Sequence, residues 1–194
     1  MSRPPIWALL SSASAMLLLV GGWVAAQAAQ PPGYDPIRQT ISALARFGLD
    51  HRWIMTVGLA GLGVAHCVTA VGLSMLRWGS RAVLAAGGVA TLAVSVFAQP
   101  RTGSSAVHIG FATLGFVVLA LWPATTARRG ADDPRRPAVA FAATAVSLAL
   151  LAWVGLTQSG GPLGLSERLL TFEQALWPFV VVVALRRRAG RLGA

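Results

Sequence analysis

The sequence predicts an all-α polytopic membrane protein: a six-transmembrane-helix bundle with both termini cytoplasmic and a short amphipathic helix in its first outer loop. Three observations lead there. Charged residues make up 11% of the 194 residues and hydrophobic ones 55%, whereas roughly 25% charge wets an average soluble domain. The apolar residues fall into six runs, each near the ~20 residues that cross hydrocarbon at ~1.5 Å rise per residue. Every basic residue is an arginine, and most cluster between the runs, as loops do when they orient a membrane protein.

The same composition excludes other classes. A mean hydropathy of +0.65 rules out a disordered chain. A lone cysteine, Cys67, can make no internal disulfide and no thiolate metal site. The net charge of +10 and pI near 11.9 do not amount to nucleic-acid binding, which needs a basic stripe on a soluble face. Residues 1–194 are therefore expected to form one integral membrane domain, with membrane lipids as surroundings and no nucleic acid as partner.

The spans are expected at about 6–29, 53–76, 82–99, 106–127, 138–156 and 166–185. Pro100 stops the third. Ser166 offers an N-cap to the sixth, with Glu167 in its first turn. The first, with Arg3 before it and Ala26-Gln27-Ala28 near its end, resembles a signal peptide. Its apolar run exceeds the roughly 7–15 residues of a signal core, so it is read as a retained span. With the N-terminus inside, eleven arginines fall in inner segments and five (Arg38, Arg46, Arg52, Arg101, Arg168) in outer ones, which favours cytoplasmic termini. Trp7, Trp53, Trp78 and Trp122 lie near span ends, as interfacial anchors do.

Two connections carry signals of their own. In the first outer loop Asp35-Pro36 reads as an N-cap followed by proline at the first helical position, and Gly48 as a stop. Ile37, Ile41 and Leu44 share a face, so this amphipathic helix would lie on the membrane surface or fold over the bundle, a solvated linker helix being the alternative. The inner loop Ala127 to Pro137 reads as a solvated turn. Gly58–Gly63 and Gly110–Gly115 share a spacing, and Ala-Leu-Trp-Pro recurs at Ala120 and Ala175, but in a chain this rich in Ala, Leu and Gly neither defines a repeat.

Polar groups inside spans are costly, so each is a candidate site. Glu173 stands thirteen residues from Arg186, roughly 20 Å up a core about 30 Å thick, and is the leading candidate for acid–base work. Pro178 would free the carbonyl of Gln174. Gly88, Thr91, Ser95 and Gln99 draw a small-and-polar stripe on the third span, which would point into the bundle, as a polar face or simply as packing. His66 lies near the midplane, as a hydrogen-bonded packing histidine or a relay, beside a line of small residues (Gly58, Gly61, Ala65, Thr69, Gly72) that would admit a neighbouring helix.

Asp35, Arg38, Gln99, Arg101, His108, Arg168, Glu173 and Gln174 all map to the outer third. Brought together they would form a cavity open to the outer leaflet, with Glu173 and His108 as catalytic candidates and Arg38, Arg101 and Arg168 as anion contacts. Dispersed, they would be the ordinary polarity of outer loops. Ser95 belongs to the same candidate set by depth, with Thr91 and His66 as deeper polar groups. No H-E-x-x-H, C-x-x-C, G-x-S-x-G or Walker loop is present. His66 and His108 differ in depth by roughly 15 Å, too far for a haem between them. No metal and no cofactor is expected.

Asp35 to Leu44, the glycine-rich second span, His108 opening the fourth, and Gly160 to Arg168 (Gly-Gly-Pro-Leu-Gly-Leu-Ser-Glu-Arg) resemble actinobacterial members of the "domain of unknown function 998" membrane family. The resemblance covers nearly the whole chain and implies six spans and a plasma-membrane location. It assigns no reaction. The stretch around Ile41-Ser42 is also loosely similar to Frag1/DRAM/Sfk1 proteins. Some relatives are expected to carry an acidic residue after the third span, where this chain has Gln99, Pro100 and Arg101. The expected function is binding or processing of a lipid or isoprenoid at the outer polar pocket. A small proton-coupled transporter using His66, Ser95 and Glu173, and a non-catalytic assembly subunit with a membrane protein partner, are the alternatives.

Overall fold

Helices form where the apolar runs lie. The computed structural model describes residues 3–192 and contains α1 (Ile6–Ala28), α2 (Ile41–Leu44), α3 (Arg52–Gly72), α4 (Trp78–Val96), α5 (Ala106–Thr125), α6 (Pro137–Leu156) and α7 (Leu163–Leu192). All but α2 are long and apolar enough to cross a membrane. The described residues contain no strand. Successive long helices pack side by side, and α7 returns to pack on α1, closing the bundle into a ring. The end that holds the arginine clusters is called inner here, and the opposite end outer.

The seams between α1, α3 and α4 follow from glycine. A Cβ on Gly58 would stand 2.9 Å from the Leu18 carbonyl oxygen, and one on Gly63 would stand 2.7 Å from that of Gly88. These backbones approach as closely as small residues allow, the device that replaces hydrophobic segregation inside a bilayer. The small-residue line expected beside His66 is this seam. Gly110, the counterpart of Gly58 in the spacing match, has open space around it, so the match has no structural equivalence.

Several boundaries differ from expectation. The third long helix starts at Trp78, four residues early, and the second ends at Gly72. The last begins at Leu163 behind Pro162, whose carbonyl accepts from Ser166 N at 3.0 Å. Ser166 is therefore within the first turn and not the N-cap; its hydroxyl bonds to Leu163 O and meets the Thr157 hydroxyl. In the outer loop Asp35 starts only a turn, its Oδ1 accepting from Ile37 N and its carbonyl from Gln39 N. The helix waits for Thr40, whose hydroxyl accepts from Ala43 N. A longer helix fails because the carbonyls of Pro36, Ile37 and Gln39 are bonded by α7. Ile41 and Leu44 are fully buried and Ile37 is exposed, so α2 plugs into the bundle instead of lying on the bilayer.

The inner half is sealed. Leu73, Leu84, Leu119, Trp122, Val181 and Val182 form one buried cluster across α3, α4, α5 and α7. Trp122, expected as an interfacial anchor, is 1% exposed and donates from Nε1 to Ser80 O at 2.8 Å; Trp7, Trp53 and Trp78 are exposed. The loop after α5 is not a solvated turn, because Asp133 and Arg135 are both buried within it. Arg135 donates from Nε and Nη2 to the Asp133 carboxylate at 2.9 and 2.6 Å, and Arg188 of α7 reaches the same group at 3.2 Å. Burial pushes the Asp133 carboxyl up, but the hydrogen bonds and charges of these arginines outweigh it and hold the pKa at about 2.

Two outcomes follow from this packing. Gly63→Val drives a side chain into the Gly88 backbone and is expected to cost about 1–3 kcal/mol, read as a lower melting temperature by circular dichroism in detergent. The Asp133 pKa is lower folded than unfolded, so its stabilising contribution is present above the ordinary carboxylate range and lost as pH falls through about 2. Asp133→Asn is expected to be less stable than the wild type at pH 7, with the difference disappearing toward pH 2.

Candidate functional site

Two sequence motifs far apart in the chain meet at the outer end. The first turns of α7 carry Gly164, Glu167 and Arg168, and the loop from Tyr34 to Ile41 lies across them. Leu165 N donates to Ile37 O at 3.0 Å. Arg168 Nη1 donates to Pro36 O at 2.7 Å and Gln39 O at 2.9 Å, and Nη2 donates to Tyr34 Oη at 2.6 Å. Glu167 Oε2 accepts from Ile41 N at 2.7 Å, capping α2 from another helix. Gly164 makes the approach feasible, since a Cβ there would stand 2.2 Å from Gln39 O. Burial raises the Tyr34 pKa above its ordinary value, opposed by the charge of Arg168, so the phenol is protonated at neutral pH.

Below and beside this junction lie two adjoining spaces. Leu163, Glu167, Thr171 and Gln174 occupy one face of α7, at the three- and four-residue steps that keep side chains aligned. A groove of about 540 Å³ runs between the outer ends of α5 and α6, reaching Gln99, His108, Ser42 and Glu167 at its polar end. Its walls are mostly apolar, among them Ile109, Phe116, Val117, Leu151 and Val154, with Thr113 and Gln158 as polar exceptions. Behind it a small cavity of about 50 Å³ extends inward to Thr91, Gln174 and His66. Ser42, Ala112, Phe116 and Glu167 line both spaces. A buried water needs roughly 10–15 Å³ of such volume together with polar partners, so the inner cavity has room for more than one.

The histidines differ in their environments. His66 is 1% exposed and its Nδ1 has no hydrogen-bond partner, so it is not the hydrogen-bonded packing histidine that one sequence reading expects. His108 is buried, with Nδ1 2.8 Å from Phe97 O. A carbonyl can only accept, so the Nδ1 position carries the proton.

The predicted site residues separate into groups. Gln99 and His108 share the groove, and Gln99 Oε1 accepts from Ser105 N at 2.8 Å. Gln174 is buried in the inner cavity and donates to Phe116 O at 2.9 Å, with Thr91 lining the same cavity. Thr91 and Ser95 hydroxyls bond back to Gly87 O and Leu92 O of their own helix. Glu173 does not join Gln99, His108 or Asp35; it turns toward α6 and accepts a hydrogen bond from Ser147. The carboxylate that reaches the groove is Glu167, six residues earlier, which sequence reasoning treated only as a first-turn residue. Asp35 pairs with Arg38 at 3.5 Å on the loop surface. Arg101 is exposed and packs along Gly48. Arg168, expected to contact anions, already gives its Nη donors to carbonyls and Tyr34.

Such a molecule is a polytopic membrane protein with a groove at its outer end that is lined by Gln99, His108 and Glu167. The family described as protein of unknown function (DUF998) matches residues 7–184, and the chain belongs to that family. Neither the curated proteins nor the solved structures gave a significant match.

The junction predicts a local effect. Arg168→Gln removes hydrogen bonds to a charged group, each worth about 1.5–3 kcal/mol. The amide of Ile41 is expected to exchange with deuterium at least about 100-fold faster, while the amides of α3 and α4 keep their protection; unchanged exchange at Ile41 would sink the clamp.

Proposed function

We propose that this chain is a plasma-membrane protein that binds a lipid or isoprenoid in the groove between α5 and α6, with the polar end of the ligand at Gln99, His108 and Glu167. The observation behind this reading is the two-part lining: a largely apolar trough about 540 Å³ in size that ends in the buried His108 and Glu167 and the half-buried Gln99. That division matches an amphiphile, whose chain replaces lipid contacts along the walls and whose head meets the polar groups. Glu167 is the acid–base candidate in this reading, because it borders both spaces while Glu173 is bonded elsewhere.

A proton-coupled transporter fits less well. It requires a route past His66 toward the arginine-rich end, where Leu84, Leu119, Trp122, Val181 and Val182 pack together. Polar side chains lie along the outer half of the path and a buried apolar cluster occupies the inner half.

The test uses a side chain that does not support the fold. Thr113 is an exposed wall residue of the groove, and Thr113→Trp is expected to reduce the lipid that copurifies with the protein about tenfold without lowering its melting temperature. Glu173→Gln is expected to leave the copurified lipid unchanged. Equal lipid in Thr113→Trp and wild type, measured by mass spectrometry of extracts, would remove the groove as the binding place.

A further inference from the structure

A second outer groove, of about 530 Å³, lies on the other side of Thr40 and Leu163, which line both this groove and the one between α5 and α6. It runs beneath the first outer loop, from the end of α1 to Leu49. Its lining holds two guanidinium side chains, Arg38 and Arg46, and no carboxylate. The groove between α5 and α6 has the opposite character, with one carboxylate and no basic side chain other than His108.

The two arginines differ from the others at this end in what the protein offers them. Arg168 shares an unpaired buried Nε with Arg46 but spends both terminal nitrogens on loop carbonyls and Tyr34, Arg52 Nε donates to Ala45 O with its guanidinium over the Phe47 ring, and Arg101 packs along Gly48. Arg46 Nε is buried without any hydrogen-bond partner. A buried donor left unpaired is destabilising by itself, and an oxyanion in the groove would satisfy it. Among the described residues the Arg38 guanidinium pairs with Asp35 alone, at 3.5 Å and with its side chain 78% exposed; an exposed pair of that kind holds its partners weakly. Thr40 keeps its hydroxyl proton for a ligand, since its oxygen accepts from Ala43 N. Guanidinium groups bind phosphate oxygens in pairs of parallel hydrogen bonds.

We infer that Arg38 and Arg46 form a phosphate-binding site, and that the phosphate belongs to the amphiphile whose chain lies across Thr40 in the neighbouring groove. This deepens the reading given above and rests on it for the placement of the chain. The ligand class becomes a phosphate-bearing lipid: the uncharged polar part of its head stays at Gln99, His108 and Glu167, and the phosphate crosses the Thr40–Leu163 ridge to the arginines, away from the Glu167 carboxylate. The anion contacts are then Arg38 and Arg46, and Arg168 has the separate task of holding the loop that carries Arg38.

The experiment is native mass spectrometry of the purified full-length protein in detergent with three probes: dioleoyl phosphatidylglycerol, dioleoylglycerol and inorganic phosphate. The wild type is expected to retain phosphatidylglycerol at least about tenfold more tightly than dioleoylglycerol, as even one charge-assisted hydrogen bond would give. Arg38→Gln/Arg46→Gln is expected to lose that preference while keeping its binding of dioleoylglycerol and its melting temperature. Leu49→Glu, which leaves both arginines in place and adds a carboxylate to the groove, is expected to do the same. A folded double variant that still prefers phosphatidylglycerol as the wild type does overturns the site. Inorganic phosphate that binds as tightly as phosphatidylglycerol overturns the lipid as its source. Should Thr113→Trp bind phosphatidylglycerol normally while the arginine variants do not, the chain-binding groove fails and the phosphate site stands.

Discussion

The outer end is organised by the contact between Arg168 and the backbone of the first outer loop. A guanidinium with little access to water needs acceptors, and the carbonyls of Pro36 and Gln39 provide them. A loop whose carbonyls point at α7 cannot use them for its own helix, which is why α2 is a single turn. With the loop fixed, Ile41 and Leu44 enter the core and the Ile41 amide reaches Glu167. Removing one member of such a network leaves its partner buried without a counterpart, which costs more than the bond alone is worth. The position of Glu167 at the groove is therefore set by the same contacts that fold the loop.

The fold was legible because hydrocarbon imposes a simple rule: a span must be apolar over its whole length, and length and composition are visible in a sequence. The six spans and the close glycine seam on α3 were readable for that reason. Features that depend on which way a residue points were not. Counting from Arg186 gives Glu173 a depth, but depth says nothing of direction around the helix. Glu167, Thr171 and Gln174 share the face that meets the cavities, and Glu173 lies a step of about 100° from Gln174. The signal that could have found Glu167 was the Gly164-Leu165-Ser166-Glu167-Arg168 stretch itself, where a glycine without a loop conformation implies close contact with another backbone. Trp122 and the Asp133–Arg135 pair misled for a related reason, since position near a span end resembles exposure until tertiary neighbours are known.

Buried charge at the two ends serves different purposes. At the inner end Asp133, Arg135 and Arg188 tie the loop between α5 and α6 to the last helix. At the outer end Glu167 and Arg168 are neighbours in sequence, yet each is bonded mainly to backbone, one to an amide and the other to carbonyls. Backbone partners offer strict geometry and little freedom to rearrange, so these two charges specify where the loop sits more than how stable the bundle is.

The sealed inner half around Trp122 and Leu84 has a kinetic meaning. For the amphiphile proposed above, a recess closed at one end would mean exchange with a single leaflet, by the mouth through which the guest arrived. Turnover at such a recess would do no work against a gradient and draw none from the membrane potential; its rate would be set by lateral diffusion in that leaflet and by the escape time of the guest.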